Sequence, residues 1–120
     1  MPHGLDRGKG LIELARKRLP EFRENFYIGN AWDWMPPRMF RYVYSLHDCV
    51  PPDYLEEYIH RLLARTVKPG GRLIIGAYGS RSEAKPAFDV AAFLKSTGFE
   101  VTGTAEGGDP PVAKFAWTDR

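Results

Sequence analysis

The apolar positions of the chain change between helical spacing and short continuous runs. Apolar residues three and four positions apart predict amphipathic helices over residues 11–19, 51–66 and 86–97. Apolar runs and period-two alternation predict strands over residues 26–28, 41–50, 73–75, 99–104 and 112–117. Helices that alternate with strands indicate an α/β layered fold with a mostly parallel sheet.

Residues 67–79 join the most regular predicted helix to the most apolar predicted strand. Pro69 cannot continue a helix, and Gly70 and Gly71 permit the sharp turn that follows. Gly76 and Gly79 flank the end of the strand. Because neither residue carries a side chain, we expect both to permit close approach of a ligand at this end.

Local signals also predict where the helices and the last strands begin and end. Asp53 and Glu56 have capping-box spacing at the start of the second helix. Pro86 suits the first turn of the third helix, and Gly98 is expected just past its end. A loop rich in glycine and proline, with no helix, joins the last two strands. We therefore expect these strands to pair antiparallel.

Composition narrows the class of protein. A chain of 120 residues predicts a single domain over residues 1–120. The formal net charge is +2 with both signs mixed, which argues against nucleic-acid binding by bulk electrostatics. One cysteine, Cys49, excludes an internal disulfide and a cysteine-based metal site. No apolar run is long enough to span a bilayer, so we expect a cytoplasmic protein without a membrane partner.

Several segments, taken in order, resemble a known family. They are residues 4–6 and 11–16 (GLD, LIELAR), 29–31 (GNA), 67–74 (VKPGGRLI) and a final aromatic strand at 115–117 (FAW). Their order and spacing are similar to those of class I S-adenosylmethionine-dependent methyltransferases. The resemblance implies a Rossmann-like fold, S-adenosylmethionine as cofactor, and methyl transfer to a small-molecule acceptor.

The chain departs from the family pattern at its start. The family's first strand leads into a Gly-x-Gly-x-Gly loop, and no such motif is present here. The resemblance therefore implies an incomplete, N-terminally truncated methyltransferase fold, the C-terminal two-thirds of the domain, with an antiparallel last strand. Residues 4–6 correspond to a stub of the second strand. The alternative function is a non-catalytic remnant or interaction module that retains the second half of the fold.

The resemblance also implies cofactor-binding positions. Asp6 matches the family's acidic residue for the ribose hydroxyls, and its alternative role is to stabilise the start of the first helix near Gly8. Asn30 stands where the family has an aspartate that bonds the adenine amino group. Ala31 would offer its backbone N–H to an adenine ring nitrogen. Trp32 or Trp34 would pack on the adenine, although either indole could instead serve only as packing.

The end of the fourth family strand carries the remaining candidates. Leu46 is implied as a cofactor contact, because ligands of open α/β sheets bind at the carboxyl ends of strands. His47 could act as a general base for the acceptor, and Asp48 competes for that role. The alternative is that alignment alone carries the methyl transfer and no protein base is needed.

The missing part of the fold predicts an exposed sheet edge. An edge strand presents unpaired N–H and C=O groups that recruit other strands. We expect one of two arrangements to cover it. Either the strand at 26–28 moves beside the strand at 41–50, or two chains pair edge to edge as a homodimer.

Overall fold

The computed structural model describes residues 2–80 and 82–120. These residues form two compact units, Met1–Met35 and Pro36–Arg120. The first contains β1 (Gly4–Asp6), α1 (Lys9–Arg18), a 3₁₀ turn (Pro20–Asn25) and β2 (Phe26–Ile28). The second contains β3 (Phe40–Leu46), α2 (Leu55–Arg65), β4 (Val67–Tyr78), α3 (Val90–Ser96), β5 (Gly103–Gly107) and β6 (Ala113–Asp119).

The first unit is a small βαβ arrangement. β1 and β2 are parallel, with Gly4 opposite Phe26 and Asp6 opposite Ile28. The stub expected at residues 4–6 is therefore a paired strand. The alternative in which β2 moves beside β3 is wrong, because β2 pairs with β1 instead.

The spacing of Leu11, Leu14, Ala15 and Leu19 predicts one buried face for helix α1, but the helix buries a different side. Ile12 is 4% exposed, whereas Leu11, Leu14 and Leu19 are exposed. The helix packs on two strands of three residues each, which are too narrow to cover the whole apolar stripe. The Arg16 guanidinium donates to the Phe26 carbonyl at 2.7 Å and ties the helix to the start of β2.

The second unit is a four-stranded sheet in the order β3-β4-β6-β5. β3 and β4 are parallel, and β6 is antiparallel to both β4 and β5. The antiparallel last strand is confirmed. The sheet is mixed and not mostly parallel, because β6 lies between β4 and β5 and is antiparallel to both. Two of its three ladders are therefore antiparallel.

One face of this sheet forms the core of the second unit. Helices α2 and α3 pack against β4 and β6. The buried strand residues on this face are Ser45, Leu73, Ile75, Ala77, Ala116 and Thr118. Tyr58 of α2, only 2% exposed, reaches the sheet through a 2.8 Å hydrogen bond between its hydroxyl and that of Ser45.

The opposite face of the same sheet is aromatic. The ladders place Tyr44 opposite Ile74, Ile74 opposite Trp117, and Gly76 opposite Phe115. Tyr42 and Tyr78 stand on this face as well, two residues from Tyr44 and Gly76. Tyr42, Tyr44 and Tyr78 are all exposed.

Several predicted boundaries shift. Helix α2 begins at Leu55 after a 3₁₀ turn, and the capping box expected from Asp53 and Glu56 does not form. Helix α3 begins at Val90, four residues after Pro86, because the Asp89 side chain caps it by accepting from the Ala92 N–H at 3.1 Å. The strand predicted at 99–104 lies instead at Gly103–Gly107.

The turn after α2 belongs to β4. The strand begins at Val67, and its register against β3 shifts between Phe40 and Tyr42. Gly70 has a φ of 81°, as a glycine turn requires, and its N–H donates to the Arg120 carbonyl at 3.1 Å. The glycine turn at the start of β4 therefore also holds Arg120 against the sheet.

We expect Tyr58→Phe to destabilise the protein at neutral pH and to remove part of its alkaline sensitivity. Burial raises the pKa of Tyr58 from 10.0 to about 12, although the hydrogen bond with Ser45 acts in the opposite direction. The folded state thus holds this proton more tightly than the unfolded state, and the resulting stability is lost as pH rises from about 10 through about 12.

Urea unfolding of wild-type and Y58F protein checks this expectation. At pH 7 the variant should lose about 1 kcal/mol with the Ser45 hydrogen bond. Between pH 7 and pH 11 the difference in unfolding free energy between the two proteins should change by about 1.4 kcal/mol in favour of the variant, because phenylalanine cannot ionise. Stability curves that stay parallel from pH 7 to pH 11 would contradict the burial of this hydroxyl.

Candidate functional site

The first unit brings its predicted cofactor-binding positions to the carboxyl ends of two neighbouring strands. Asp6 ends β1, and Gly29 and Asn30 follow the end of β2. The Gly29 N–H donates to the Asp6 carbonyl at 3.0 Å, which fixes the two strand ends side by side. Carboxyl ends of adjacent parallel strands are the usual ligand edge of an open α/β sheet.

The Asp6 carboxylate already has one partner inside the chain. Its Oδ1 accepts from the Gly8 N–H at 2.7 Å, and Gly8 is the residue that precedes helix α1. The structural role predicted for this acid is therefore present. Because a carboxylate has two acceptor oxygens, this bond leaves Oδ2 for a ligand hydroxyl.

Asn30 shapes the loop that follows β2. Its side-chain Oδ1 accepts from the Trp32 N–H at 3.0 Å, and its carbonyl accepts from the Trp34 N–H at 3.0 Å. This is the local turn that asparagine favours. The Asn30 Oδ1, which was expected to bond adenine, thus already accepts one hydrogen bond within its own turn. That turn also sets the position of Ala31, which lies between Asn30 and Trp32.

The two indoles of this loop differ in their surroundings. Trp34 packs on Tyr27, with ring centroids 5.2 Å apart and planes at 45°. Tyr27 in turn stacks on His3 and hydrogen-bonds its Nδ1 at 3.1 Å. Trp34 is therefore part of the packing of the first unit, and Trp32 is half-buried in the turn.

The second unit carries the candidates at the end of β3. Leu46 ends the strand opposite Gly76, and residues His47–Cys49 form a 3₁₀ turn. The His47 ring stacks on Phe88, with centroids 4.7 Å apart and planes at 9°. Its Nδ1 is buried and has no hydrogen-bond partner among the described residues. Asp48 and Cys49 are exposed.

The candidates are thus divided between the units. Asp6, Asn30, Ala31 and Trp32 lie in the first, and Leu46, His47 and Asp48 lie in the second. The sequence did not predict the contact of His47 with Phe88, because the two residues are far apart along the chain and no spacing signal links them.

A second feature that sequence reasoning missed is an aromatic cluster formed by Tyr44, Tyr78 and Phe115. The Phe115 centroid lies 6.2 Å from that of Tyr44 and 5.8 Å from that of Tyr78. Burial and the neighbouring Tyr78 hydroxyl raise the pKa of Tyr44 from 10.0 to about 12. The alternation in β3 and β6 could have revealed the shared face, but only once their register against β4 was known.

Two kinds of site find no support within residues 2–80 and 82–120. No group of three or more His, Cys, Asp or Glu side chains could hold a metal ion there. No helix in this part of the chain is both long and apolar enough to cross a membrane.

Comparison with known proteins gives structural matches alone. No family model matches the sequence, and no curated protein matches it. The N-methyltransferase NodS from Bradyrhizobium japonicum WM9, solved with S-adenosyl-L-homocysteine, superposes with a TM-score of 0.68 at 12% identity, over 97% of this chain and 64% of that one. The chain has part of the class I methyltransferase fold.

Two further solved structures agree. The glycopeptide N-methyltransferase MtfA, solved with S-adenosyl-L-methionine, has a TM-score of 0.67 at 12% identity, over 94% of this chain and 69% of that one. A SAM-dependent methyltransferase from Aquifex aeolicus has a TM-score of 0.63 at 16% identity, over 96% and 66%. This partial methyltransferase fold therefore spans about two-thirds of the length of the structures that it matches. The partial fold expected from the sequence is confirmed.

Proposed function

We propose that this chain belongs to a protein that transfers a methyl group from S-adenosylmethionine to a small-molecule acceptor, and that its first unit binds the adenosine part of the cofactor. The observation that carries the proposal is the position of Asp6 beside residues 29–31 at the ends of two parallel strands. It occurs in a chain whose fold matches methyltransferases over 97% of its length.

The groups at this edge fit an adenosine. The Asp6 carboxylate would accept hydrogen bonds from the ribose hydroxyls through Oδ2, while Oδ1 holds Gly8. The Ala31 N–H and the Asn30 amide would bond the adenine edge, and Trp32 would cover its face. S-adenosylmethionine supplies a methyl group made electrophilic by the charge of its sulfonium.

The second unit would serve the acceptor. Asp48 is exposed at the end of β3 and can take the proton that an acceptor hydroxyl or amine loses. His47 is the less accessible candidate of the two, because its ring is stacked on Phe88 and its Nδ1 is buried. Leu46 is half-buried at the same strand end.

Titration calorimetry with S-adenosylhomocysteine tests the proposal. The D6N variant keeps an oxygen for the Gly8 N–H but replaces the second acceptor with a donor. Loss of a hydrogen bond to a charged group costs about 1.5–3 kcal/mol, so the affinity should fall by at least about tenfold. The matched control is Asp33→Asn, an exposed aspartate of the same loop, which should bind as the wild type does.

Three results would contradict the proposal. One is the absence of heat from wild-type protein at millimolar S-adenosylhomocysteine. Another is equal affinity of the D6N and wild-type proteins, which would remove Asp6 from the site. The result in which D33N and D6N weaken binding alike would also exclude a specific ribose contact.

The alternative function, a non-catalytic interaction module, is favoured by the open edge of β3. This strand pairs with β4 on one side and is the last strand of its sheet on the other. Tyr42, which lies on it, is 68% exposed. We propose that two chains pair through this edge as a homodimer.

Size-exclusion chromatography with light scattering, at several protein concentrations, checks the homodimer. We expect twice the monomer mass of 13.6 kDa for the wild type and a shift to monomer for Tyr42→Lys. A charged side chain on an exposed edge opposes strand pairing without disturbing the core. A monomer at every concentration would contradict edge pairing, whatever the cofactor titration shows.

A further inference from the structure

Backbone hydrogen bonds gather four segments of the second unit at one end of its sheet. The Phe40 N–H, at the start of β3, donates to the carbonyl of Thr66, directly after α2, at 2.7 Å. The Arg120 N–H donates to the Gly71 carbonyl at 2.9 Å, and the Arg120 carbonyl accepts from the Gly70 N–H at 3.1 Å. The start of β3, the end of α2, the turn in β4 and the residue after β6 therefore lie together.

Each of these segments carries an exposed cation. They are Arg41 in β3, Arg65 in α2, Lys68 in β4 and Arg120 after β6. Within the part of the chain that the structure describes, none of the four forms an ion pair. We call these four residues the basic row.

The acid beside the basic row is already neutralised. Asp119 is the one acid among the residues that the contacts at this end join, and its carboxylate is held by Arg72. Its Oδ1 accepts from Nε at 2.7 Å, and its Oδ2 accepts from Nη2 at 3.2 Å. This bidentate pair adds no net charge. The four cations of the row therefore keep their charge, and their mutual repulsion favours an anionic partner.

The guanidinium of Arg120 is held in place. Its Nη1 donates to the Val67 carbonyl at 2.6 Å, while both backbone groups of Arg120 bond to the glycine turn. A guanidinium has several N–H donors, so this bond leaves others for a ligand. Because the group is already fixed, it loses less conformational entropy when an anion binds.

The basic row is linear. β3, β4 and β6 are neighbours in the sheet, and neighbouring strands lie about 4.8 Å apart. Arg41, Lys68 and Arg120 thus follow one another across about 10 Å of the sheet end. A nucleic-acid strand is a linear polyanion with a phosphate at every nucleotide, and the planar fork of arginine matches phosphate. A membrane surface would also take up large apolar side chains, and residues 68–71 in the middle of the row have none.

We propose that the basic row binds the phosphate backbone of a single-stranded nucleic acid. The expectation against nucleic-acid binding concerned the charge of the whole chain, in which both signs are mixed. The row is instead a local patch, formed by residues that are far apart in the sequence and that only the fold brings together.

The bound strand is a partner and not the methyl acceptor. The basic row lies at the amino end of β3, whereas Leu46, His47 and Asp48 lie at its carboxyl end. The 7 residues of β3 separate the two ends by about 20 Å. The row therefore adds an interaction surface to the function proposed above and does not depend on that function.

Fluorescence anisotropy of a labelled oligouridylate of about twelve nucleotides tests the basic row on the full chain. Each phosphate contact to a single strand contributes about −0.7 to the slope of log affinity against log salt concentration. Contacts by three of the four cations therefore predict a slope of about −2. No binding at about 100 μM protein and about 50 mM salt would overturn the proposal.

Two lysine variants form a matched pair for this titration. Lys68→Gln removes a charge from the row. Lys85→Gln removes one from an exposed position that is bridged to Ser80, past the other end of β4. K68Q should reduce the magnitude of the slope by about 0.7, and K85Q should leave it unchanged. Equal slopes in the two variants would overturn the proposal. Arg41→Gln should act as K68Q does.

Competing anions identify the class of partner. Unlabelled oligouridylate should displace the probe at a lower charge concentration than polyglutamate does. Equal displacement by the two would overturn the assignment to a nucleic acid, since it would indicate a general site for polyanions. Sedimentation with phosphatidylserine vesicles is the third arm. Vesicle binding that K68Q weakens, without binding of the oligouridylate, would overturn the proposal in favour of a membrane surface.

The outcome is independent of the cofactor test. K68Q should bind S-adenosylhomocysteine as the wild type does, because Lys68 lies outside the first unit. Oligouridylate binding by a protein that does not bind S-adenosylhomocysteine would support the basic row and contradict the proposed function. The reverse result would support the proposed function and overturn the basic row as a nucleic-acid site.

Discussion

Replacing Leu94 with alanine will lower the free energy of unfolding by about 3 kcal/mol. Leu94 lies in α3, is 0% exposed, and belongs to the largest fully buried side chains of the protein. Helix α3 is a seven-residue helix that packs on β4 and β6, so little else can close the cavity that the truncation leaves. Urea denaturation followed by far-ultraviolet circular dichroism measures the change.

Leu11→Ala is the matched control for this variant. It makes the same truncation on a helix, but Leu11 is 62% exposed. Its expected effect is within about 0.5 kcal/mol, as for other surface substitutions. Equal losses in the two variants would contradict the assignment of the core to the face of the sheet beneath α2 and α3.

Gly79→Ala will be nearly as destabilising, by about 2–3 kcal/mol. A Cβ at Gly79 would lie 2.6 Å from the Pro86 carbonyl carbon and 2.7 Å from the Ala87 nitrogen, and it would overlap the Lys85 oxygen. These atoms are all backbone, so no side-chain rotation relieves the overlap. The 2.7 Å hydrogen bond from the Gly79 N–H to the Val112 carbonyl fixes the strand end where the overlap occurs.

Gly107→Ala separates this effect from the general cost of replacing a glycine in a strand. Gly107 ends β5, and its added Cβ would meet the Ala113 Cβ at an ordinary 3.8 Å. Thermal denaturation should place G79A well below the wild type and G107A close to it. If G79A and G107A have the same melting temperature, residues 85–87 do not pack on the end of β4.

The positions and types of most secondary-structure elements followed from the sequence because their signals are local. The strand at residues 26–28 was predicted at its observed bounds, and Gly98, at a φ of 90°, does follow α3. The start of α3 was missed because the Asp89 cap outweighs the preference of Pro86 for a first turn. The buried side of α1 was missed because only the width of its two-stranded sheet decides which residues it covers.

The candidate site was less predictable, because it depends on contacts that periodicity does not encode. The resemblance supplied Asp6 and Asn30, but only the structure shows that their side chains also accept from Gly8 and Trp32. Gly76 and Gly79 were expected to leave room for a ligand. The chain itself uses that room, with Tyr44 and Phe115 over Gly76 and residues 85–87 over Gly79.

The central claim is that the strand ends of the first unit bind the adenosine part of S-adenosylmethionine. Amide chemical-shift mapping with S-adenosylhomocysteine tests it most directly, because each candidate residue reports for itself. We predict saturable shifts at Asp6, Gly8, Asn30 and Ala31, and a midpoint at least about tenfold higher in ligand concentration for the D6N protein. Saturable shifts confined to other residues, or none at millimolar ligand, would contradict the claim.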